Sequence, residues 1–278
     1  LLLLGSTKSM GAGLEDIHLI KIDLEGNLLW EKTYGGNLYD SPDDIIEMSN
    51  GEFCIAATTV SFGAGSKDMY LLWIDQQGNL LREKTFGGPD LDGCAEIMEI
   101  ENREIMLHAY TKNYGATSRD MYLLKMNATG DSLWSHRFGT EEYEQSEAFF
   151  RTSDGGYLIA GHSAGIDPDH NVYGVRFDRD GNQLWAKNYG GDLHDGCQAV
   201  LINSDGNYVF VARSMSSGSG RSIYMVTTDP NGDMIRADTL GGELNDWGQE
   251  ILEYESYYFI VGHSNSAGNG DDDVYVVK

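Results

Sequence analysis

The sequence predicts an all-β fold built from one repeated unit, and three observations support this prediction. A glycine pair, or Gly-Thr in one case, recurs every 51 or 52 residues, at Gly35-Gly36, Gly87-Gly88, Gly139-Thr140, Gly190-Gly191 and Gly241-Gly242. The turn glycines keep the same spacing, at Gly26, Gly78, Gly130, Gly181 and Gly232. No segment of useful length shows a helical period in its apolar residues. A period this regular indicates a repeat architecture.

Each repeat contains four short runs rich in β-branched and aromatic residues, which predict four strands. We name them A to D, and in the second repeat they cover residues 43–49, 51–59, 68–75 and 79–87. Short Gly, Asn and Asp turns join A to B and C to D, as in antiparallel hairpins. Four antiparallel strands in about 50 residues are typical of a β-propeller blade. The sequence therefore predicts a β-propeller of four-stranded blades.

The order of the runs predicts about 22 strands in the whole chain. The chain reads B-C-D, then four complete A-to-D repeats, then A-B-C. We predict a single propeller domain over residues 1–278 with six blades, while five or seven blades remain open. Because the chain begins without Met and in the middle of a repeat, we expect it to be part of a longer protein.

A longer motif runs through nearly the whole chain: D-x-Y-L-x-K-x-D-x-x-G-N-x-x-W-x-x-x-x-G-G, then D-G-G-Y-x-I-A-G-x-[ST]. It resembles the repeats of large secreted bacterial and archaeal β-propeller repeat proteins. The resemblance implies a propeller fold, and secretion or surface display as a domain of a larger protein. Trp30, Trp134 and Trp185 are also distantly similar to the tryptophan-docking motif of quinoprotein propellers. Arg82 and Arg236 replace this Trp in two repeats, which argues against a quinone cofactor.

The charge of the chain excludes several classes of partner. Lys and Arg number 19 against 44 Asp and Glu, so the formal net charge is −25. Such a surface repels phosphate backbones and anionic membranes, so we expect no nucleic-acid partner. No apolar run approaches the roughly 20 residues that span a bilayer, so we expect no membrane insertion. A glycan or protein ligand, bound by a monomeric domain outside the cell or at its surface, fits this composition.

The three cysteines predict core packing rather than chemistry. Cys54, Cys94 and Cys197 are an odd number in a long chain, which implies no disulfide framework. Cys94 and Cys197 occupy equivalent positions of their repeats, where a small half-buried residue is expected. Apart from a possible calcium ion we expect no cofactor. The weak calcium candidates are acidic loop residues, namely Asp167, Asp169, Asp271 and Asp273.

The connections between strands predict which side of the molecule binds ligands. In an up-and-down blade, the B–C and D–A connections lie on one side, and the A–B and C–D turns on the other. The first set is long and irregular, whereas the second is short and repetitive. Loops carried by a rigid scaffold usually contain the binding residues. We therefore expect the ligand on the B–C/D–A side.

Positions that are alike in most repeats are interpreted as structural. An acid follows each glycine pair, at Asp40, Asp92, Glu144, Asp195 and Asp246. These acids could form a carboxylate ring for a cation or for acid–base chemistry. Their presence in every repeat favours hydrogen bonding to backbone N–H groups instead. The same interpretation applies to Asp16, Asp68, Asp120 and Asp273 before strand C, and to the hydroxyls of Thr7, Thr59, Thr111, Ser163, Ser214 and Ser264.

Positions that differ between repeats on the loop-rich side are the candidate binding residues. They are Tyr39, Tyr110, Tyr143, His162, His194, Arg213, Trp247 and His263. Aromatic rings beside hydrogen-bonding groups suit a sugar or a peptide surface. The alternative, which remains open, is that these side chains pack between blades and only their polar tips meet water.

Two functions follow from these patterns. The favoured one is a non-enzymatic extracellular or cell-surface binding or adhesion module, because no nucleophile, base and orienting group occur together. No catalytic residue is therefore assigned. The alternative is a secreted hydrolase or lyase with a carboxylate and histidine site at the central channel. It would use two of the repeated acids with His162 or His263.

Overall fold

The computed structural model describes residues 1–116, 118–139, 144–163, 171–216, 220–268 and 271–278, apart from the side chain of residue 145. These residues contain 22 β-strands in six antiparallel sheets, one 3-10 turn at Glu101–Arg103 and no α-helix. The all-β prediction is confirmed. The chain divides into two compact units, Leu1–Glu141 and Glu142–Lys278.

Unit 1 contains three sheets of consecutive strands. Sheet 1 has β1 (Leu2–Thr7), β2 (Asp16–Ile22) and β3 (Leu28–Tyr34). Sheet 2 has β4 (Asp40–Glu47), β5 (Phe53–Thr59), β6 (Asp68–Ile74) and β7 (Leu80–Phe86). Sheet 3 has β8 (Asp92–Glu99), β9 (Ile105–Thr111), β10 (Asp120–Met126) and β11 (Ser132–Phe138).

Unit 2 contains three further sheets with the same order of strands. Sheet 4 has β12 (Glu144–Arg151), β13 (Tyr157–Ser163), β14 (Asn171–Phe177) and β15 (Gln183–Tyr189). Sheet 5 has β16 (Asp195–Ile202), β17 (Tyr208–Ser214), β18 (Ser222–Thr228) and β19 (Met234–Leu240). Sheet 6 has β20 (Asp246–Tyr254), β21 (Tyr257–Ser264) and β22 (Asp273–Val277).

The first and last sheets have three strands, as the B-C-D and A-B-C reading of the sequence predicts. Strand A begins earlier than predicted in the second repeat, at Asp40 rather than Asp43. The reason is a β-bulge at Asp43, because strand A pairs with strand B on both sides of it, starting with Asp40 opposite Thr59. Pairing within the same sheet thus extends the strand back to the repeated acid, whose N–H also donates to Glu15 O of the preceding repeat at 2.8 Å.

The core lies between neighbouring sheets within each unit. In unit 1, Cys54 and Trp73 of sheet 2 pack with Cys94 and Leu107 of sheet 3, and all four are almost completely buried. A buried aliphatic side chain contributes about 2 kcal/mol. All three cysteines are free and buried, which confirms core packing.

Strand D of one repeat docks on the C–D turn of the next. Trp30 Nε1 donates to Gln76 O at 3.1 Å, and Trp185 Nε1 donates to Pro230 O at 3.0 Å. Arg82 stands where these repeats have Trp, and its Nη2 donates to Ala128 O at 3.1 Å. Arg82 therefore makes the same turn contact as the tryptophan of the other repeats.

The B–C and D–A loops lie together in each unit. In unit 1, Val60 N donates to Tyr39 O at 2.8 Å and Lys112 N to Leu91 O at 2.7 Å. In unit 2, Met215 N donates to His194 O at 3.0 Å. Each bond joins the loop after a strand B to the loop before a strand A. The irregular loops therefore share one side of each sheet, as the strand order predicts.

Candidate functional site

The repeated acids hold the loops in place. Asp92 is completely buried, and its Oδ2 accepts hydrogen bonds from Gly88 N at 2.8 Å and Asn113 Nδ2 at 2.7 Å. Thr111 Oγ1 donates to the other carboxylate oxygen. Glycine N–H groups donate in the same way to Asp40, Asp195 and Asp246, and the Ser163 hydroxyl donates to Glu144. These acids serve the fold, so acid–base chemistry would need a different carboxyl group.

Sequence comparison missed a second row of positions, which β-bulges create. In every strand A the pairing with strand B skips one residue, the third after the repeated acid. The skipped residues are Asp43, Ala95, Glu147, Gln198 and Gln249. A bulge re-aims the side chain of the extra residue and often lies beside a functional site. Only two of the five skipped residues are acidic.

Asp43 lies in a recess of unit 1 between sheets 2 and 3. Thr58 Oγ1 donates to Asp43 Oδ2 at 2.8 Å and accepts a hydrogen bond from Cys94 N at 3.2 Å. Tyr110 lies across Gly93, where a Cβ would collide with both Tyr110 Oη and Thr58 Oγ1. Glycine at this position therefore makes the recess possible.

Arg119 completes the recess on the side of the loops. Its guanidinium lies 3.5 Å from the centre of the Tyr110 ring. In such a contact the face of the aromatic ring stabilises the charge of the guanidinium. We define the Asp43 recess as Asp43, Thr58, Gly93, Tyr110 and Arg119.

The protein around Asp43 gives its carboxyl a pKa near neutral pH. Desolvation raises its pKa to about 7, against the lowering effects of the Thr58 hydrogen bond and the charges of Lys67 and Arg119. The residue as a whole is exposed, while the protein around its carboxyl desolvates that group. Near pH 7 the group can both donate and accept a hydrogen bond.

Asp43→Asn is expected to stabilise the protein at high pH. A raised folded pKa penalises folding as pH rises through the window between about 4, the pKa of the unfolded chain, and about 7. Full burial would make this penalty roughly 4 kcal/mol, and solvent screening reduces it to about 1–2 kcal/mol. Urea denaturation at pH 8 should show this gain for the variant, whereas at pH 4 the two proteins should be equally stable. An equal gain at both pH values would contradict the raised pKa.

His108 lies beneath this region and is fully buried. Burial, with a smaller contribution from the charge of Arg119, lowers its pKa to about 3. The imidazole is therefore neutral at physiological pH. It contributes packing rather than charge.

The structure brings three of the predicted residues together in unit 2. His162 is buried, and its Nδ1 lies 3.9 Å from Glu147 Oε1. The rings of His162 and His194 are 6.5 Å apart. Gly196 lies beside Arg213 and His194, since a Cβ there would be 3.3 Å from Arg213 Nε and 3.5 Å from His194 Cε1.

The other predicted binding residues are distributed between the units. Trp247 and His263 form a tilted pair 4.5 Å apart in sheet 6, and Arg221 lies 5.9 Å from the Trp247 ring. Tyr39 in unit 1 is half exposed. Tyr143 lies outside the described residues.

Two of the four calcium candidates lie among the described residues. Asp167 and Asp169 lie outside the described residues. Asp271 is exposed, and the Asp273 carboxyl lies against Gly268, much as Asp68 lies against Gly63. Within the described ranges, no group of three His, Cys, Asp or Glu side chains is arranged to hold a metal ion. A calcium ion stays a prediction from the sequence.

The comparisons with known proteins show the fold class. No protein-family model and no curated protein matches the sequence. Among solved structures, a polysaccharide lyase described as an ulvan lyase has a TM-score of 0.60 and 11% identity, covering 94% of this chain and 69% of that chain. A protein of unknown function from Dyadobacter fermentans has a TM-score of 0.54 and 13% identity, covering 96% and 84%. At these identities the likeness concerns the fold alone.

In the described part of the chain, no helix is long and apolar enough to cross a membrane. The six antiparallel sheets of consecutive strands agree with the fold of these solved structures. The chain is an all-β protein of the β-propeller class.

Proposed function

We propose that this protein binds a glycan on its loop-rich side, outside the cell or at its surface, and that the Asp43 recess is the binding site. The observation that carries the proposal is the β-bulge that places Asp43 beside Thr58, Tyr110 and Arg119. Within unit 1 the bulge places an acid in only one of the two described strands A, because the third repeat has Ala95 at the same position.

The chemistry of the recess suits sugar hydroxyl groups. Asp43 near its pKa offers both a donor and an acceptor, the Thr58 and Tyr110 hydroxyls add further partners, and Arg119 adds a charged donor. The Tyr110 ring supplies an apolar surface beside them. One solved structure of similar fold is a polysaccharide lyase, which supports a carbohydrate ligand.

The test is a glycan array followed by calorimetric titration of the glycans retained. Asp43→Ala and Tyr110→Thr place in the recess the residues that other repeats carry there, Ala95 and Thr58, so both variants should fold. Each should weaken binding at least tenfold, which is about 1.4 kcal/mol. Glu25→Ala, on an exposed C–D turn, is the matched control and should bind like the unmodified protein. Unchanged affinity in both recess variants would place the site elsewhere.

A second candidate function is cleavage of the bound glycan. The observation that favours it is the pKa of Asp43, because a general acid or base works best with a pKa near the operating pH. Reducing ends report hydrolysis, and the ultraviolet absorbance of an unsaturated sugar reports elimination. Under the binding proposal the glycan is recovered intact. Product formation that Asp43→Asn abolishes while binding persists would establish the enzyme instead.

A further inference from the structure

We infer that unit 2 contains a second glycan-binding recess, centred on Glu147, which takes a sugar bearing a carboxylate group. We define the Glu147 recess as Glu147, His162, His194, Gly196 and Arg213. The inference rests on the proposed function for the class of ligand, but it concerns different residues in a different unit.

The first step is the equivalence of Glu147 and Asp43. Both are the residue that the bulge of strand A leaves unpaired. Each lies close to the cysteine of the following sheet. Burial raises the pKa of Cys197, to about 12, and the charge of Glu147 adds to the effect; Asp43 acts in the same way on Cys94. The two acids therefore occupy the same place relative to their neighbouring sheet.

The second step is the glycine that opens each recess. Gly93 on β8 leaves room for the side chain of Tyr110, which lies across it. Gly196 on β16 has the same position in its repeat, and the side chain of Arg213 on β17 lies beside it. In sheet 6 the equivalent residue is Trp247, a large side chain whose ring packs on His263. A recess thus requires both a glycine in strand A and an acid at the preceding bulge.

The third step is the charge of the lining. Arg213 is half buried and forms no ion pair with a described residue, in a chain with 44 acidic side chains. Its Nε is buried and has no hydrogen-bond partner among the described residues. A guanidinium matches the planar geometry of a carboxylate with two parallel hydrogen bonds.

The remaining side chains suit the rest of a sugar ring. Glu147 can accept hydrogen bonds from hydroxyl groups, and the imidazoles of His162 and His194 lie on the same side of the recess. A cation that pairs with no described residue, with acceptors around it, is expected of a site for a uronic acid. A neutral sugar would leave the Arg213 charge unpaired in the complex.

The experiment uses trigalacturonic acid and its methyl ester, titrated into the full chain by calorimetry. The Asp43 recess is first silenced with Asp43→Ala and Tyr110→Thr. In this background one equivalent of the acid should bind, and the uncharged ester should bind at least tenfold more weakly. Arg213→Thr is then added, because threonine is the residue that the second repeat has at the equivalent position, Thr58. This variant should bind the acid at least tenfold more weakly. Gln198→Ala, at the bulge of the next repeat, is the matched control and should change nothing.

Three results would overturn the inference: no binding of the acid in the silenced background, equal binding of acid and ester, or no effect of Arg213→Thr. If Arg213→Thr does not fold, Glu147→Ala tests the same site from an exposed position and should also weaken binding. The proposed function is judged separately, since it fails if Asp43→Ala and Tyr110→Thr leave array-selected glycans bound as before. Either recess can therefore fail while the other stands.

Discussion

Asp92→Ala is expected to lower the free energy of unfolding by about 3 kcal/mol. Asp92 is completely buried and accepts hydrogen bonds from Gly88 N, Thr111 Oγ1 and Asn113 Nδ2. Alanine leaves these donors without their partner at a place where Thr111 and Asn113 are themselves buried. Removing the carboxyl also removes the free-energy cost of burying it, but the lost hydrogen bonds outweigh this gain, because each unsatisfied buried donor costs about 1–3 kcal/mol.

Urea denaturation followed by intrinsic fluorescence measures this loss. Asp90→Ala is the matched control, since Asp90 is an exposed acid in the same loop and its replacement should change stability by less than about 0.5 kcal/mol. If Asp92→Ala unfolds at the same urea concentration as Asp90→Ala, the repeated acids do not stabilise the loops. In that case the structural interpretation of the whole row would be wrong.

Trp73→Ala should be the most destabilising apolar substitution among those considered, with a loss of about 3–5 kcal/mol. Trp73 is fully buried between sheets 2 and 3, and it packs on the Arg82 guanidinium at 4.6 Å from the ring centre. It also fills the space above Gly130, where a Cβ would lie 2.5 Å from the indole. Alanine would leave a cavity that neighbouring strands cannot close without breaking their register.

Trp185→Ala is the comparison for this prediction, because Trp185 is only half buried and docks on the turn at Pro230. We expect a loss of about 1–2 kcal/mol from its truncation. Thermal unfolding of both variants against the unmodified chain ranks the two effects. A larger loss for Trp185→Ala would show that turn docking, rather than the buried core, dominates the stability of a repeat.

The period of the chain made the strands predictable. In each repeat, strand D follows the turn glycine and ends just before the glycine pair or its Gly-Thr equivalent, and these residue types serve local backbone needs that recur in every repeat. Gly78 and Gly87, for example, both adopt positive φ, of 76° and 157°. The hydroxyl and acid rows were recognised for the same reason, since Thr111 and Asp92 recur at fixed positions. Blade number stays a prediction.

The candidate site was only partly predictable. Comparison of repeats identified Tyr110, His162, His194 and Arg213, because these positions vary on the side where loops gather. It missed Asp43, since the same bulge position holds Ala95 in the next repeat and no residue type marks a bulge. The sequence did contain one signal for these positions, because the residue three places after each repeated acid varies from repeat to repeat. Arg119 was missed because it lies at the end of a loop of irregular sequence.

The sequence by itself determined the repeat, the order of strands and the positions that every repeat needs, because turns and loop hydrogen bonds depend on residues close together in the chain. Only the tertiary structure decided which side chains meet across neighbouring sheets. Desolvation raises the pKa of Asp43, and the Thr58 hydroxyl that donates to Asp43 also accepts a hydrogen bond from Cys94 N of the following sheet. Contacts of that kind arise from packing, so no local pattern encodes them.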